Sequence, residues 1–226
     1  MNLQAVVNRY KQILQTADWL IQCHPRQQGN PGKAAALAPA SVLASVAAFE
    51  AFAEELLAAT ATHRGYGYGQ IAKLISMNNP TVKTLDDKLT HVLGTGADQS
   101  WRKTFSLTVW RAPDPGQGET FWFDDKTMDW AGVVGAAEGW VQVRHCITHG
   151  LVRGTRAEYW PGPLKGDVAA SSVLRHYPSG KCALSIQGAE TCGRVYREAA
   201  HALTQHAATV LKLKQPRWSA VPTFRY

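Results

Sequence analysis

The alanine-rich segment between Pro39 and Ala61 limits the fold most. Val42, Val46, Phe49, Ala53 and Leu56/Leu57 recur at three- and four-residue spacing, which predicts a helix over about 40–61 with one apolar face. Alanine raises helix propensity, and a long apolar stripe has to be buried against neighbouring elements. Three further segments carry the same period. Val6, Tyr10, Ile13, Ala17 and Leu20/Ile21 predict a helix over 3–22, and Trp130, Val134, Ala137 and Val141 one over 129–150. Val195, Ala199, Ala202, His206, Val210 and Leu213 predict the last, over 189–214 and ended by Pro216. Four long amphipathic helices read as an all-α bundle. Neither a repeat nor a clean linker divides the chain, so residues 1–226 read as a single domain.

Residues 62–128 and 151–187 read as insertions between these helices. His63-Arg64-Gly65-Tyr66-Gly67-Tyr68-Gly69 predicts a surface turn. Short helices are expected near Ile71–Ser76 and Leu85–Leu93, and the stretch from Gly94 to Lys126 as mostly irregular. The second insertion is loop-rich. Within it, Ser172–Tyr177 and Lys181–Ile186 flank Pro178-Ser179-Gly180, the pattern of a small β-hairpin with a three-residue turn. Gly150 is the natural stop of the third long helix, and Arg217–Tyr226 reads as an extended tail.

Charge is distributed unevenly. Met1–Val143 holds 12 Lys/Arg against 13 Asp/Glu, whereas Arg144–Tyr226 holds 12 against 4, so the whole surplus of +7 comes from the C-terminal part. A concentration of that kind suits a polyanion such as RNA, although a protein that is simply basic fits as well. Cys23, Cys146, Cys182 and Cys192 lie far apart without a C-x-x-C pair, so free thiols are expected rather than disulfides or zinc. His145-Cys146-x-x-His149 lacks the acidic base of a zincin helix, and no metal or other cofactor is expected. No run of about 20 uninterrupted apolar residues is present, and Met1-Asn2-Leu3-Gln4 has neither a basic start nor an apolar block. The expectation is a cytoplasmic protein with no membrane partner. Of the eight tryptophans, Trp160 and Trp218 fall in loops and are expected to be the exposed ones. His206 is expected to be a packing residue.

The segment that points to chemistry is Arg144-His145-Cys146-Ile147-Thr148-His149. On a wheel of about 100° per residue, Arg144 falls about 40° to one side of the apolar stripe and His145 about 60° to the other. A guanidinium continuing an apolar face needs an anion to meet it: a carboxylate, a partner subunit or a phosphate. His149 falls at the helix exit, where the helix dipole favours cationic groups.

This run resembles the signature of HEPN domains, an arginine followed by Asn, Asp or His, three variable residues and a histidine. HEPN domains are helical bundles that often dimerise. Ser45–Leu57 is similar to the early HEPN helix that carries an acidic residue near the site, and Glu50 takes that place here. The likeness is nearest to HEPN nucleases of bacterial conflict and antiviral systems, and covers the helices around 40–60, 129–150 and 189–214. It implies an HEPN-like bundle and a metal-independent endoribonuclease, acting as a toxin or antiphage effector. Arg144 and His149 would be its core, His145 would orient them, and Glu50 would buttress Arg144 or His149 from the neighbouring helix. It also implies a homodimer that joins two such sites in one cleft. HEPN toxins silenced by nucleotide transfer carry a tyrosine two residues past the motif histidine; Leu151 stands here, which speaks against that control. Any antitoxin or sensor encoded nearby would act by another route.

The chemistry suits these side chains. RNA carries its own nucleophile in the 2′-hydroxyl, histidine exchanges protons near neutral pH, and arginine grips phosphate oxygens through two hydrogen bonds. The products would be a 2′,3′-cyclic phosphate and a 5′-hydroxyl. Arg153, Arg156 and Lys181, with Lys165, Arg175, Arg194 and Arg197, are the candidates to track the RNA backbone. Two other readings remain open: an HEPN module that binds RNA or a nucleotide, or dimerises, without cutting; and an unrelated helical protein in which Arg144 makes an internal ion pair.

Overall fold

The computed structural model describes residues 2–26, 32–94, 98–149 and 168–225, apart from the side chain of Pro115. Seven α-helices run through them: α1 (Leu3–Gln22), α2 (Leu37–His63), α3 (Tyr68–Ile75), α4 (Val82–Leu93), α5 (Trp101–Thr104), α6 (Trp130–Thr148) and α7 (Ile186–Val210). Helix α2 is the central element and packs against α1, α3, α4, α6 and α7. Phe49, Phe52, Leu56 and Leu57 are buried around it, as are Val42 and Val46. Because neighbours surround α2, its apolar surface is not a stripe but extends round the axis, as befits a buried helix. By length and composition alone, Gly32–His63 is also the one helix among the described residues apolar enough to cross a membrane.

Local signals set the ends of the long helices. Asn2 caps α1 by accepting from Ala5 N–H at 2.8 Å, Asp129 caps α6 through Gly132 N–H at 2.8 Å, and Ser185 caps α7 through Gly188 N–H at 3.1 Å. Helix α7 begins at Ile186 and ends at Val210, three to four residues before the expected limits at each end. Its exit is a Schellman turn: Lys212 adopts φ +54°, Leu213 N–H donates to Ala208 O at 2.8 Å and Lys212 N–H to Thr209 O at 3.1 Å. Pro216 therefore lies beyond a helix already closed.

Aromatic contacts lock the bundle. Tyr10 meets Phe52 at 4.7 Å and Phe49 meets Tyr196 at 5.0 Å between ring centroids. Tyr196 also donates its hydroxyl to Ala137 O at 2.9 Å, which ties α7 to α6. On α6 the buried face centres on Trp130, Val133, Ala137, Trp140 and Val141, whereas Val134 is only half-buried.

The structure departs from the largely irregular 94–126 region expected. This region holds α5 and the strand β1 (Leu107–Arg111), which pairs antiparallel with β2 (Phe123–Met128) from Leu107↔Met128 to Arg111↔Phe123. The register slips by one between Val109 and Arg111, and short strands interrupted this way carry little period-two signal. The second hairpin lies where expected but is shorter than Ser172–Tyr177 and Lys181–Ile186: only β3 (Arg175–His176) and β4 (Cys182–Ala183) pair about Pro178-Ser179-Gly180, while Ala170–Val173 forms a 3-10 turn and Ile186 opens α7. Tyr177 N–H donates to Lys181 O at 2.9 Å across that turn, and Gly180 takes φ +78°.

The tail is a strap over the bundle and not a free extension. Trp218, expected to be exposed, is 5% exposed and packs edge-on to Tyr10 and Phe52. Phe224 is fully buried against Gly193 of α7, where a Cβ would lie 2.8 Å from the ring. Among the described residues the exposed tryptophan is Trp19, on α1. Trp160 lies outside the described residues, as do Gly150 and Leu151. No disulfide joins the four cysteines, all of which lie among the described residues.

Candidate functional site

Arg144 lies on the last turns of α6 and points between α2 and the loop joining α3 to α4. Its Nη2 donates to Glu50 Oε2 at 3.4 Å and its Nη1 to Asn79 Oδ1 at 2.9 Å. The side chains of Arg144 and Glu50 are 25% and 19% exposed, so solvent still reaches the pair. Glu50 is the acidic residue expected from α2, and the fold brings it to the arginine. Burial pushes its carboxyl above the usual carboxylate range; Arg144 pulls it back and Glu54 adds to the rise. Glu50 Oε1 is buried with no hydrogen-bonding partner among the described residues.

Asn79 is the member of this group that the sequence reading missed. Its backbone is left-handed, φ +52°, a conformation asparagine tolerates better than most residues. Asn78-Asn79-Pro80 signals a turn, yet nothing in sequence ties that turn to α6, 65 residues away. Thr81 caps the next helix by accepting from Thr84 N–H at 3.1 Å, which fixes the loop that presents Asn79.

The two histidines differ in setting. His145 is buried, and its Nε2 has no hydrogen-bonding partner among the described residues. Burial first, then the charges of Arg144 and His149, hold its pKa below the ordinary histidine value, which favours the uncharged ring. The hydrogen bonds that hold Arg144 are those to Glu50 and Asn79, and His145 Nε2 makes none among the described residues. His149 is the C-cap of α6; it is exposed, and its N–H donates to His145 O at 3.1 Å. Five residues separate it from Arg144, about 140° round a helix at ~100° per residue.

The proposed RNA-tracking residues divide sharply. Lys181 is exposed on the turn of the β3–β4 hairpin. Arg175 stacks over Tyr177 at 4.9 Å and donates to Thr120 O at 3.4 Å. Arg194 and Arg197 are buried, which rules out a surface role. Arg194 donates to Phe224 O at 2.8 Å, pairs with Asp124 and lies over Trp110; Arg197 pairs with Glu198 and lies over Trp218. Their charge is spent inside the fold because α7 has no solvent-facing side at those positions. Arg153, Arg156 and Lys165 lie outside the described residues.

Among the described residues no group of three or more His, Cys, Asp or Glu side chains is placed to hold a metal ion. His206 is a packing residue, 7% exposed beside Trp101 at 5.5 Å. No protein-family model, curated protein or solved structure matches the chain. The likeness to HEPN domains accordingly rests on Arg144–His149 and on the helix that carries Glu50.

Proposed function

We propose that the protein is a metal-independent endoribonuclease of HEPN type that works in the cytoplasm as a homodimer, in a toxin or antiphage role. The observation that carries this reading is the solvent-reached Arg144–Glu50 pair beside the histidine-bearing end of α6, with 3.4 Å between the charged atoms. A 3.4 Å contact is loose for a charge-assisted bond, so a phosphate can compete for the guanidinium. Glu50 and Asn79 hold the fork in place without saturating its five donors. His149, exposed at the helix exit, supplies the group that exchanges a proton with the ribose hydroxyl or the departing 5′-oxygen. One chain supplies a single exposed histidine here, and the resemblance to HEPN domains implies that a second copy completes the cleft.

The test is incubation of the purified protein with mixed RNA in EDTA, with end-group analysis of the products. Cleavage that yields 2′,3′-cyclic phosphates and vanishes in Arg144→Ala and in His149→Ala supports the reading. Undiminished cleavage in both variants, or a strictly monomeric protein that cleaves, overturns it.

A second reading, a bundle in which Arg144 only bridges α6, α2 and the 76–81 loop, is favoured by its two in-chain partners. RNA binding without cleavage over a broad substrate panel would select a non-catalytic HEPN module, and absence of both would select a structural ion pair.

A further inference from the structure

The strap formed by residues 211–221 does not close flush on α1. Between them lies a cavity of about 670 Å³, open on one side, in the size range of small-molecule sites. Its floor is aliphatic: Leu3 and Val7 from the first turns of α1, and Leu213 and Val221 from the strap. Its rim carries Lys11, Lys214 and Arg217, with His63 from the end of α2. Among the described residues no carboxylate lines the cavity, and neither does any Phe, Tyr or Trp ring. The three cationic side chains make no ion pair among the described residues, unlike Arg9 close by on α1, which is taken by Glu55. The other large depression, of about 590 Å³, mixes Lys126 with Asp129 and has no such one-sided charge.

The strap is fixed firmly enough for the cavity to be preformed. Gln4 grips the backbone of Arg217 from both sides, accepting from its N–H at 2.8 Å and donating to its carbonyl at 3.5 Å. Gln215 donates to Thr209 Oγ1 at 2.9 Å, and Trp218 and Phe224 anchor the strap in the core. Glu50 and His63 are 13 residues apart on α2, so the cavity lies about 20 Å along that helix from the Arg144 pair. Neither Arg144, Glu50, His145 nor His149 lines it.

We propose that this cavity binds a free amphipathic anion with a single aliphatic chain. The carboxylate or phosphate head sits among Lys11, Lys214 and Arg217, and the chain lies on Leu3, Val7, Leu213 and Val221. The unneutralised rim selects the charge. The aliphatic floor without a ring selects a flexible chain over a nucleobase, which binds best by stacking on aromatic side chains. This site is independent of the ribonuclease reading and stands whether or not RNA is cut.

The experiment is calorimetric titration of the full chain with octanoate, decanoate and dodecanoate below their micelle concentrations, with decanol as the neutral control. Affinity rises by up to about fourfold for each methylene buried. Decanoate binds at least tenfold more tightly than decanol. Combined Lys214→Glu and Arg217→Glu substitution, at two exposed side chains, removes that preference and leaves decanol binding unchanged. Ala220→Trp, which fills the cavity from its exposed edge, weakens both ligands. Should the double variant fail to fold by circular dichroism, Lys11→Gln gives the same readout with a severalfold loss. Equal binding of decanol and decanoate overturns the proposal. So does decanoate binding that ignores these substitutions, or binding confined to anionic lipid vesicles or to peptides with a free C-terminus.

Discussion

Two arginine-carboxylate clusters in this protein use the same chemistry to different ends. On α7, Arg194 and Glu190 are almost wholly buried, and each is bonded several times over. Arg26 and the Trp110 indole both donate to Glu190, while Arg194 reaches Phe224 O and Asp124 and lies over Trp110. At the end of α6, Arg144 holds one carboxylate oxygen loosely and one amide, with a quarter of its side chain in solvent. The first cluster has a sealed centre in Arg194 and Glu190, with Arg26 and Asp124 at its more exposed edge, and its worth lies in what happens when a buried partner is removed. The second is open, and an added anion can still find it. Burial, not residue type, separates a structural arginine from one free to act.

The comparison breaks first at Glu190. Glu190→Ala removes the acceptor that Arg26 and the Trp110 indole share, and urea denaturation should show a loss of about 3 kcal/mol. Arg144→Ala should cost no more than about 1 kcal/mol by the same method, because solvent already screens its pair. If the two losses are equal, the distinction between sealed and open clusters is wrong.

Gly193→Ala tests how tightly the strap is held against α7. The added Cβ meets the Phe224 ring at 2.8 Å, so the strap must shift and stability should fall by about 1–3 kcal/mol. Unchanged stability would mean that the ring is free to move.

The pH response follows from two histidines. Both His145 and His206 titrate below the ordinary value of 6.5, each chiefly because of burial. Arg102 lowers His206 further, while Asp86 and Asp98 oppose it. The neutral form is favoured in the fold, so their contribution is complete above 6.5 and drains away as pH falls through 6.5 towards the depressed values. Denaturation midpoints at pH 7.5 and 5.5 should therefore differ, and His206→Phe should reduce the difference. A difference of the same size in that variant would remove His206 from the account.

The smallest effect is expected at Lys212, whose φ of +54° closes α7. Lys212→Gly should stabilise by about 0.5–1 kcal/mol, since glycine adopts that conformation without steric cost. A loss of stability would show that the lysine side chain does more than occupy the turn.

The helices around 3–22, 37–63, 130–148 and 186–210 were legible because an apolar period of 3.6 is a local property that packing then exploits. So was the β3–β4 hairpin, whose turn residues Pro178-Ser179-Gly180 carry their own conformational preferences. The β1–β2 hairpin was not, since its strands are short, its register slips and five of the six β2 residues face solvent. In the candidate site, Glu50 could be anticipated only through the likeness of Ser45–Leu57 to the acidic early helix of HEPN domains. Asn79 could not, because its role depends on a contact across 65 residues of chain. The surplus of positive charge misled in part: the sequence counts Arg194 and Arg197, but only the packing of α7 reveals that both are consumed internally.

By itself, then, the sequence determined which stretches coil, where their apolar faces lie and where several of them begin. Those features arise from backbone propensity, side-chain period and capping within a few residues. Which charges remain available, where the tail rests and that a cationic cavity opens between residues 3–11 and 211–221 were decided only when distant segments met. Burial and pairing are properties of neighbours in space, and no local pattern encodes who those neighbours will be.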